Sequence, residues 1–325
     1  MSYLENAKQY TGADLENIFF RPMLTGPSAQ DLGVRVIYNI PTPTTVQLWD
    51  GQRNILQKYN AAGWTGGNPA TKYQKTLNLK RVKAELGFSA ADYFSLVYEK
   101  IAARADVNMD DLTGCELELA ETELFKQAVA ENIRATMWVG DSAATTGYNT
   151  FDGFLKSISA MVTSEAIYNT TYPVAELSDP ARVVKIFDEL WNNASNRVQD
   201  LKSEGQLVFY VTSDLYYLYE KYLDSKGVDA AYSGSVDGRQ GLAYHGIPVV
   251  DIRLGNYLTA TTLHKSFCLF TDRRNLVMAV NTADFPGNEV RMWYNPDEME
   301  NRQRAVFMAG CDVLDETLIT YAHRS

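Results

Sequence analysis

Three histidines, His245, His264 and His323, are the residues of this 325-residue chain best suited to acid–base or metal chemistry near neutral pH. They lie far apart, and none has a partner at metal-ligand spacing; HExxH, CxxC and DxDxDG patterns are absent from the sequence. A serine or cysteine nucleophile needs a base and an orienting acid, and no GxSxG turn marks one. Cys115, Cys268 and Cys311 are odd in number and widely spaced, so they read as reduced core thiols, not a disulfide framework. The stretch Gly63–Asn68 is glycine-rich but lacks the Lys-Ser/Thr of a phosphate-binding loop, and reads as a turn or open loop. Gly234-Ser-Val-Asp-Gly-Arg-Gln-Gly241 imitates an anion nest in composition, but a polar surface loop is the better reading. Tyr216, Tyr217, Tyr219 and Tyr222 could stack bases; on a capped helix they are half core and half subunit contact. Glu121/Glu123 and Asp110/Asp111 belong to solvated helix faces or ends. No constellation for turnover emerges, and no catalytic residue, metal ligand or cofactor is assigned.

The elements that would position any site are clearer. Thr113 and Glu116 form a capping-box pattern ahead of LELAETELFKQAVAENIRATMWVG. Apolar residues recur there at Leu117, Ala120, Leu124, Ala128, Ala135 and Trp138, the period of a long amphipathic helix over 114–139 with Gly140 as a left-handed stop. Leu124, Ala128 and Trp138 are its expected core positions. Before it, TTVQLW and YQKTLNLKRVK flank a tip containing Gly63, Gly66, Gly67 and Pro69, which predicts a long β-hairpin that needs a surface to lie on. Ser89 caps a further helix to about Ala105. After the long helix come an amphipathic helix from Pro180 to a stop at Gly205, the buried strand QLVFYVT and a helix capped at Thr212-Ser213-Asp214. GIPVVDI then reads as a strand, KSFCLFTDRRNLVMAV as a hairpin, and Val290 onward as returning strands that end in a second hairpin, CDVLDETLITYA.

Lys plus Arg total 30 against 40 Asp plus Glu, a formal charge of −10 with no cationic run, so any nucleic-acid contact is expected to be weak and salt-sensitive. No run of 18 apolar residues exists, and the start has no basic n-region and apolar h-region.

In serial order these features resemble the major capsid protein of tailed bacteriophages, the Hong Kong 97 phage capsid fold. The resemblance rests on the hairpin's return strand LKRVKAELGFSAADYF, the helix ending in WVGDS, Asp152-Gly153-Phe154, QLVFYVTSDLYYLYEKYLDS and Gly246-Ile-Pro248-Val249, and covers nearly the whole chain. It implies an α+β fold: an N-terminal arm (1–33), an extended hairpin loop (34–85), a peripheral domain (86–175) with the spine helix at 114–139, an axial domain (176–280), and strands returning to the peripheral domain (281–325). It further implies a structural protein, not an enzyme, forming hexamers and pentamers of an icosahedral shell around double-stranded DNA. Its expected location is the virion, after assembly in the host cytoplasm. Implied partners are the chain itself, portal, scaffold and decoration proteins, and DNA in weak contact; no membrane is expected. Members with an N-terminal scaffolding segment are longer before the arm, so a separate scaffold is expected here. Trp49, Trp64 and Lys72 are the expected inter-subunit contacts of the loop. Lys58, Lys72 and Lys75 offer amines for a crosslink, but no partner is identifiable and none is assigned. Two alternatives stay open. A bacterial nanocompartment shell of the same fold would co-purify with one cargo enzyme. A soluble hydrolase with a dispersed site would gather His245 or His264 with carboxylates in a pocket.

Overall fold

The structure, a computed structural model, describes residues 28–39, 44–49, 72–89, 116–227, 235–236, 239–258, 264–281, 290–298 and 300–324. The expected helix after Ser89, the cap at Thr113 and the loop tip with Trp64 lie outside these residues.

Two sheets organise the chain. The first has five strands: β1 (Arg35–Ile37), β4 (Lys80–Ser89), β12 (Leu276–Val280), β13 (Val290–Asn295) and the 14-residue β14 (Glu300–Val313). Ala305 pairs with both Ala84 and Val290, so β4 and β13 occupy opposite edges of β14. Ala309 pairs with both Lys80 and Val280, which places β12 beyond β13 on the same edge. β1 joins β12 in parallel. β2 (Thr44–Trp49) and β3 (Lys72–Leu77) form a separate antiparallel hairpin, with Thr44 opposite Leu77 and Trp49 opposite Lys72. β3 runs into β4 across Asn78 and Leu79, so one chain segment leaves the sheet and becomes the hairpin. β1 and β4, counted with the hairpin in the sequence reading, are sheet strands.

The second sheet has six strands, in the order β5 (Tyr168–Tyr172), β15 (Ile319–Arg324), β11 (Phe267–Asp272), β6 (Leu207–Val211), β10 (Ile247–Asp251), β9 (Leu242–Tyr244). β7 (Ser235–Val236) pairs β8 (Arg239–Gln240) as a two-stranded ladder. Neither expected hairpin in the C-terminal third forms. β11 and β12 belong to different sheets, as do β14 and β15. The reason is burial: FCLFTD and LVMAV are apolar at successive positions and need cover on both faces, which two sheets supply and a lone hairpin does not. Asp272 starts the crossing by accepting from the Arg274 amide at 2.8 Å. Asn275 then ties the two crossings together: its side-chain amide donates to the Asp315 carbonyl at 2.8 Å, and its side-chain oxygen accepts from the Asp315 amide at 2.8 Å.

Helix α1 (Glu116–Val139) has 24 residues, about 36 Å at 1.5 Å per residue. α2 (Phe154–Thr163), α3 (Ala181–Asn192), α4 (Asn196–Asp200) and α5 (Ser213–Lys226) follow. The helix expected to run unbroken to Gly205 stops at Asn193, whose side chain donates back to the Glu189 carbonyl at 2.8 Å; Ser195 then takes an extended conformation. Asn and Ser favour such local bonds over helix continuation. α5 ends at Gly227 with φ of +62°.

The largest core cluster joins α1 and α2 to one face of each sheet. A second packs α3, α4 and α5 on the other face of the six-stranded sheet. A third is small: Leu77 and Leu79 cover Val277 and Ala279, with Val46 and Ile37 beside them.

Candidate functional site: the helix junction and the hairpin root

Trp138, an expected core residue, is fully buried at the end of α1. Its ring makes edge contacts with Phe154 at 5.4 Å and Tyr210 at 5.7 Å between centroids. Tyr210 donates to the Leu32 carbonyl at 2.6 Å, so α1, α2, β6 and the chain entering β1 meet at one point. Burial pushes the Tyr210 phenol well above its ordinary value, so it remains a donor. Of the other expected core positions, Ala128 is only half-buried; Phe125 and Val129 hold the buried places in that turn. The side chain of Leu124 lies outside the described residues.

Gly140 is not the left-handed stop expected of it, being absent from the residues with positive φ. Its smallness serves close approach instead. A Cβ on Gly140 would stand 2.3 Å from the Phe151 carbonyl oxygen, and one on Gly153 would stand 2.6 Å from the Gly140 nitrogen. With both side chains absent, the Gly153 amide donates to the Gly140 carbonyl at 2.8 Å and locks α2 to the end of α1. Lys156 clamps the connecting loop, reaching Asp141 and Asp152 at 2.6 Å each. That hydrogen bond from Lys156 holds the Asp141 carboxyl below its usual range.

One feature had no reading in the sequence. From Glu131 to Val139 only Asn132 is exposed, so this half of α1 is not amphipathic as expected; it is buried all round. Glu131 and Arg134 are buried with it and pair at 2.6 and 2.8 Å. Arg134 also donates to the Ile252 carbonyl at 2.9 Å, and Tyr257 donates to Glu131 at 2.6 Å. The guanidinium sits 5.5 Å from the Tyr257 ring centroid. Burial, then the hydrogen bond to Glu131, raises the Tyr257 phenol to about 12. The network fastens the segment after β10 to the helix.

Among the described residues the hairpin is anchored at its root. Lys75 pairs with Asp312 at 3.4 Å, and Leu77 is buried. Trp49 and Lys72 are register partners at the far end of the described ladder; their side chains lie outside the described residues. The root opens on a cleft of about 570 Å³, whose lining includes Arg35, Lys75, Arg197, Asp272, Arg274 and Asp315 and no histidine.

Alternation along three strands gathers charge that the linear sequence scatters. The face of the five-stranded sheet opposite the core carries Arg81, Lys83 and Glu85 of β4, Arg302 and Arg304 of β14, and Arg291 and Trp293 of β13. Glu85 pairs with Lys83 at 2.9 Å and Arg304 at 3.4 Å, and Arg302 pairs with Glu298 and Glu300. Trp293 is 40% exposed.

The histidines do not converge on carboxylates. His245 sits in a turn at φ +47° with its ring 4.4 Å from that of Tyr244. His264 stacks on His323, and among the described residues neither forms an ion pair. Among the described residues no group of three His, Cys, Asp or Glu side chains is placed to hold a metal. Cys268 is buried, and Cys311 donates to the Asp152 carbonyl at 2.9 Å.

No family model matches the sequence, and no curated protein matches it. Solved structures do match the fold. A chain of the capsid of Myoviridae phage XM1 superposes with a TM-score of 0.60 at 14% identity, covering 98% of this chain and 100% of that one. A chain of the capsid of cyanophage P-SCSP1u gives 0.55 at 11% identity, with 97% and 95% covered. A chain of the procapsid of satellite phage P4 gives 0.54 at 11% identity, with 96% and 99% covered. The α+β architecture of this chain matches the fold of these capsid chains over nearly their whole length.

Proposed function

We propose that this chain is a major capsid protein, a structural subunit that builds an icosahedral shell of hexamers and pentamers around double-stranded DNA. The observation that carries the reading is the two-way coverage: capsid chains match this one over almost its entire length and theirs. The topology supports it. β2 and β3 pair with each other and with no third strand among the described residues, and a two-stranded ribbon alone is marginal in water. A neighbouring copy supplies the missing platform, with Trp49, Trp64 and Lys72 as contact residues. In this reading α1 is the spine, the five-stranded sheet the peripheral domain and the six-stranded lobe the axial domain. Portal, scaffold and decoration proteins are further partners, DNA contact is weak, the location is the virion after assembly in the host cytoplasm, and no turnover is involved. Electron microscopy of the purified protein tests this: closed shells of one subunit type are expected. Small discrete oligomers overturn it. Shells that co-purify with one cargo enzyme and no DNA reassign the chain to a nanocompartment.

A further inference from the structure

The six-stranded sheet carries a pair of imidazoles that shell building does not explain. His264 lies just before β11 and His323 on β15, which sits between the edge strand β5 and β11. Their rings stack at 3.7 Å between centroids, 26° from parallel. Nδ1 of His264 is 3.1 Å from the Tyr321 hydroxyl. His323 is 9% exposed, and its Nδ1 is buried without a hydrogen-bond partner. Among the described residues no carboxylate acts on either ring. Across the sheet His323 is opposite Phe267 of β11 and Thr171 of β5, and Tyr321 is opposite Asn169. The other titratable groups nearby among the described residues are Tyr321, Tyr172 and Cys268, all pushed up by burial and so neutral, the carboxylate of Asp214, which acts on Tyr172, and the cations Lys265 and Arg324 that follow the two histidines.

We propose that the stack of His264 on His323 is an acid-sensitive latch that pins the chain entering β11 to the C-terminal strand β15 while both rings are neutral, and releases it when either takes a proton. An imidazolium needs acceptors for two N–H groups, and His323 has none at Nδ1 among the described residues. A buried donor without a partner and an unpaired charge both oppose the closed stack. A second proton 3.7 Å away adds like-charge repulsion. Burial lowers His264, and burial followed by the neighbouring His264 takes His323 down to about 4. The folded values lie below the ordinary value of about 6.5. The stabilisation is therefore complete above that pH and is lost as pH falls from about 6.5 toward 4. β5 and β15 form one side of the sheet, so opening there loosens the lobe's edge and leaves β6 and β10 paired.

The test uses the full chain and the variants His323→Phe and His264→Phe, which keep a flat ring in the stack. Urea unfolding at pH about 7.5 and 5 compares their pH dependence. His323 alone is expected to shift the wild-type unfolding equilibrium about 30-fold more between these pH values than in His323→Phe. Amide protection in β15, relative to β6, is expected to fall at pH 5 in the wild type only. Equal pH dependence in wild type and variants overturns the latch, as does loss of protection spread evenly over both strands. Should a variant fail to fold, imidazole titration of the wild type by NMR decides. Titration of His323 near 4, with His264 depressed below its ordinary value, supports the latch, and titration of His323 near 6.5 overturns it.

Discussion

The two sheets solve the same problem differently. The six-stranded sheet is covered on both faces: in β6, Val208 and Tyr210 face the helix junction while Leu207, Phe209 and Val211 face α3 and α5. The five-stranded sheet buries one face fully; its other face is covered only at the hairpin root, where Leu77 and Leu79 lie on Val277 and Ala279, and along β4, β14 and β13 it is given to charge. In β14 the odd residues from Asn301 to Ala309 are buried, and the even ones from Glu300 to Met308 are not. A sheet closed on both sides is a finished unit. A sheet with one open face, continuous with a hairpin that pairs with nothing else described, has surface left for other copies.

The sharpest way to break this contrast is to empty one position on each sheet. Phe209 stacks on Phe270 at 4.5 Å and lies 4.8 Å from Phe187. Phe209→Ala is expected to cost about 3–5 kcal/mol in urea melts. Val306→Ala, on the open face of β14, is expected to cost less than about 1 kcal/mol. Similar losses at both sites would mean that the second face is also packed.

The buried ion pair in α1 tests how the sheets are held together. Arg134→Met takes the guanidinium away from the buried Glu131 carboxylate, to which Tyr257 still donates, and is expected to cost about 3–5 kcal/mol. Adding Glu131→Leu removes the buried carboxylate, and the double variant is expected to recover at least half of the loss. A double variant no better than the single one would place the cost in lost packing, not in electrostatics. Gly153→Ala comes next. The added methyl meets three backbone atoms of α1 and its cap at 2.6–2.7 Å, and overpacking of this kind costs about 1–3 kcal/mol. Thermal melts check it, and an unchanged midpoint would show that α2 can slide.

Much of this architecture was legible in the chain. α1 begins and ends within two residues of the span read from its periodicity, and Trp138 is where the apolar stripe put it. β6 and α5 were legible because an all-apolar run and a Thr-Ser-Asp start are local signals. What escaped depends on distance. FCLFTDRRNLVMAV has the same pattern whether its strands pair with each other or cross between sheets; the outcome depends on β14 and β6, which lie elsewhere in sequence. Glu131 and Arg134 have the i,i+3 spacing of an exposed helix pair, and only the loop at Ile252–Tyr257 buries them. The absence of a Lys/Arg run hid the cations of the open face because β4, β13 and β14 contribute them at alternate positions.

The smallest effect on stability, and the most informative for assembly, is expected from the hairpin. A cut replacing residues 44–78 would remove Leu77 and Val46, which pack on Val277 and Ala279, so it would confuse folding with assembly. A cut between Gln47 and Gln74, closed by a short Gly/Ser linker, keeps that root and the Lys75–Asp312 pair. The segment removed includes Trp49, Trp64 and Lys72, the proposed contact residues. Closing a shorter loop changes entropy by only about 0.6 kcal/mol per halving of its length, so the trimmed subunit is expected to melt within about 1 kcal/mol of the full chain. Circular dichroism should be unchanged while light scattering and microscopy show no closed shells. Complete shells from the trimmed chain would remove the hairpin from the assembly mechanism. An unfolded product would show that the ribbon belongs to the subunit's own core, and that the open face of the five-stranded sheet is less self-sufficient than its buried one suggests.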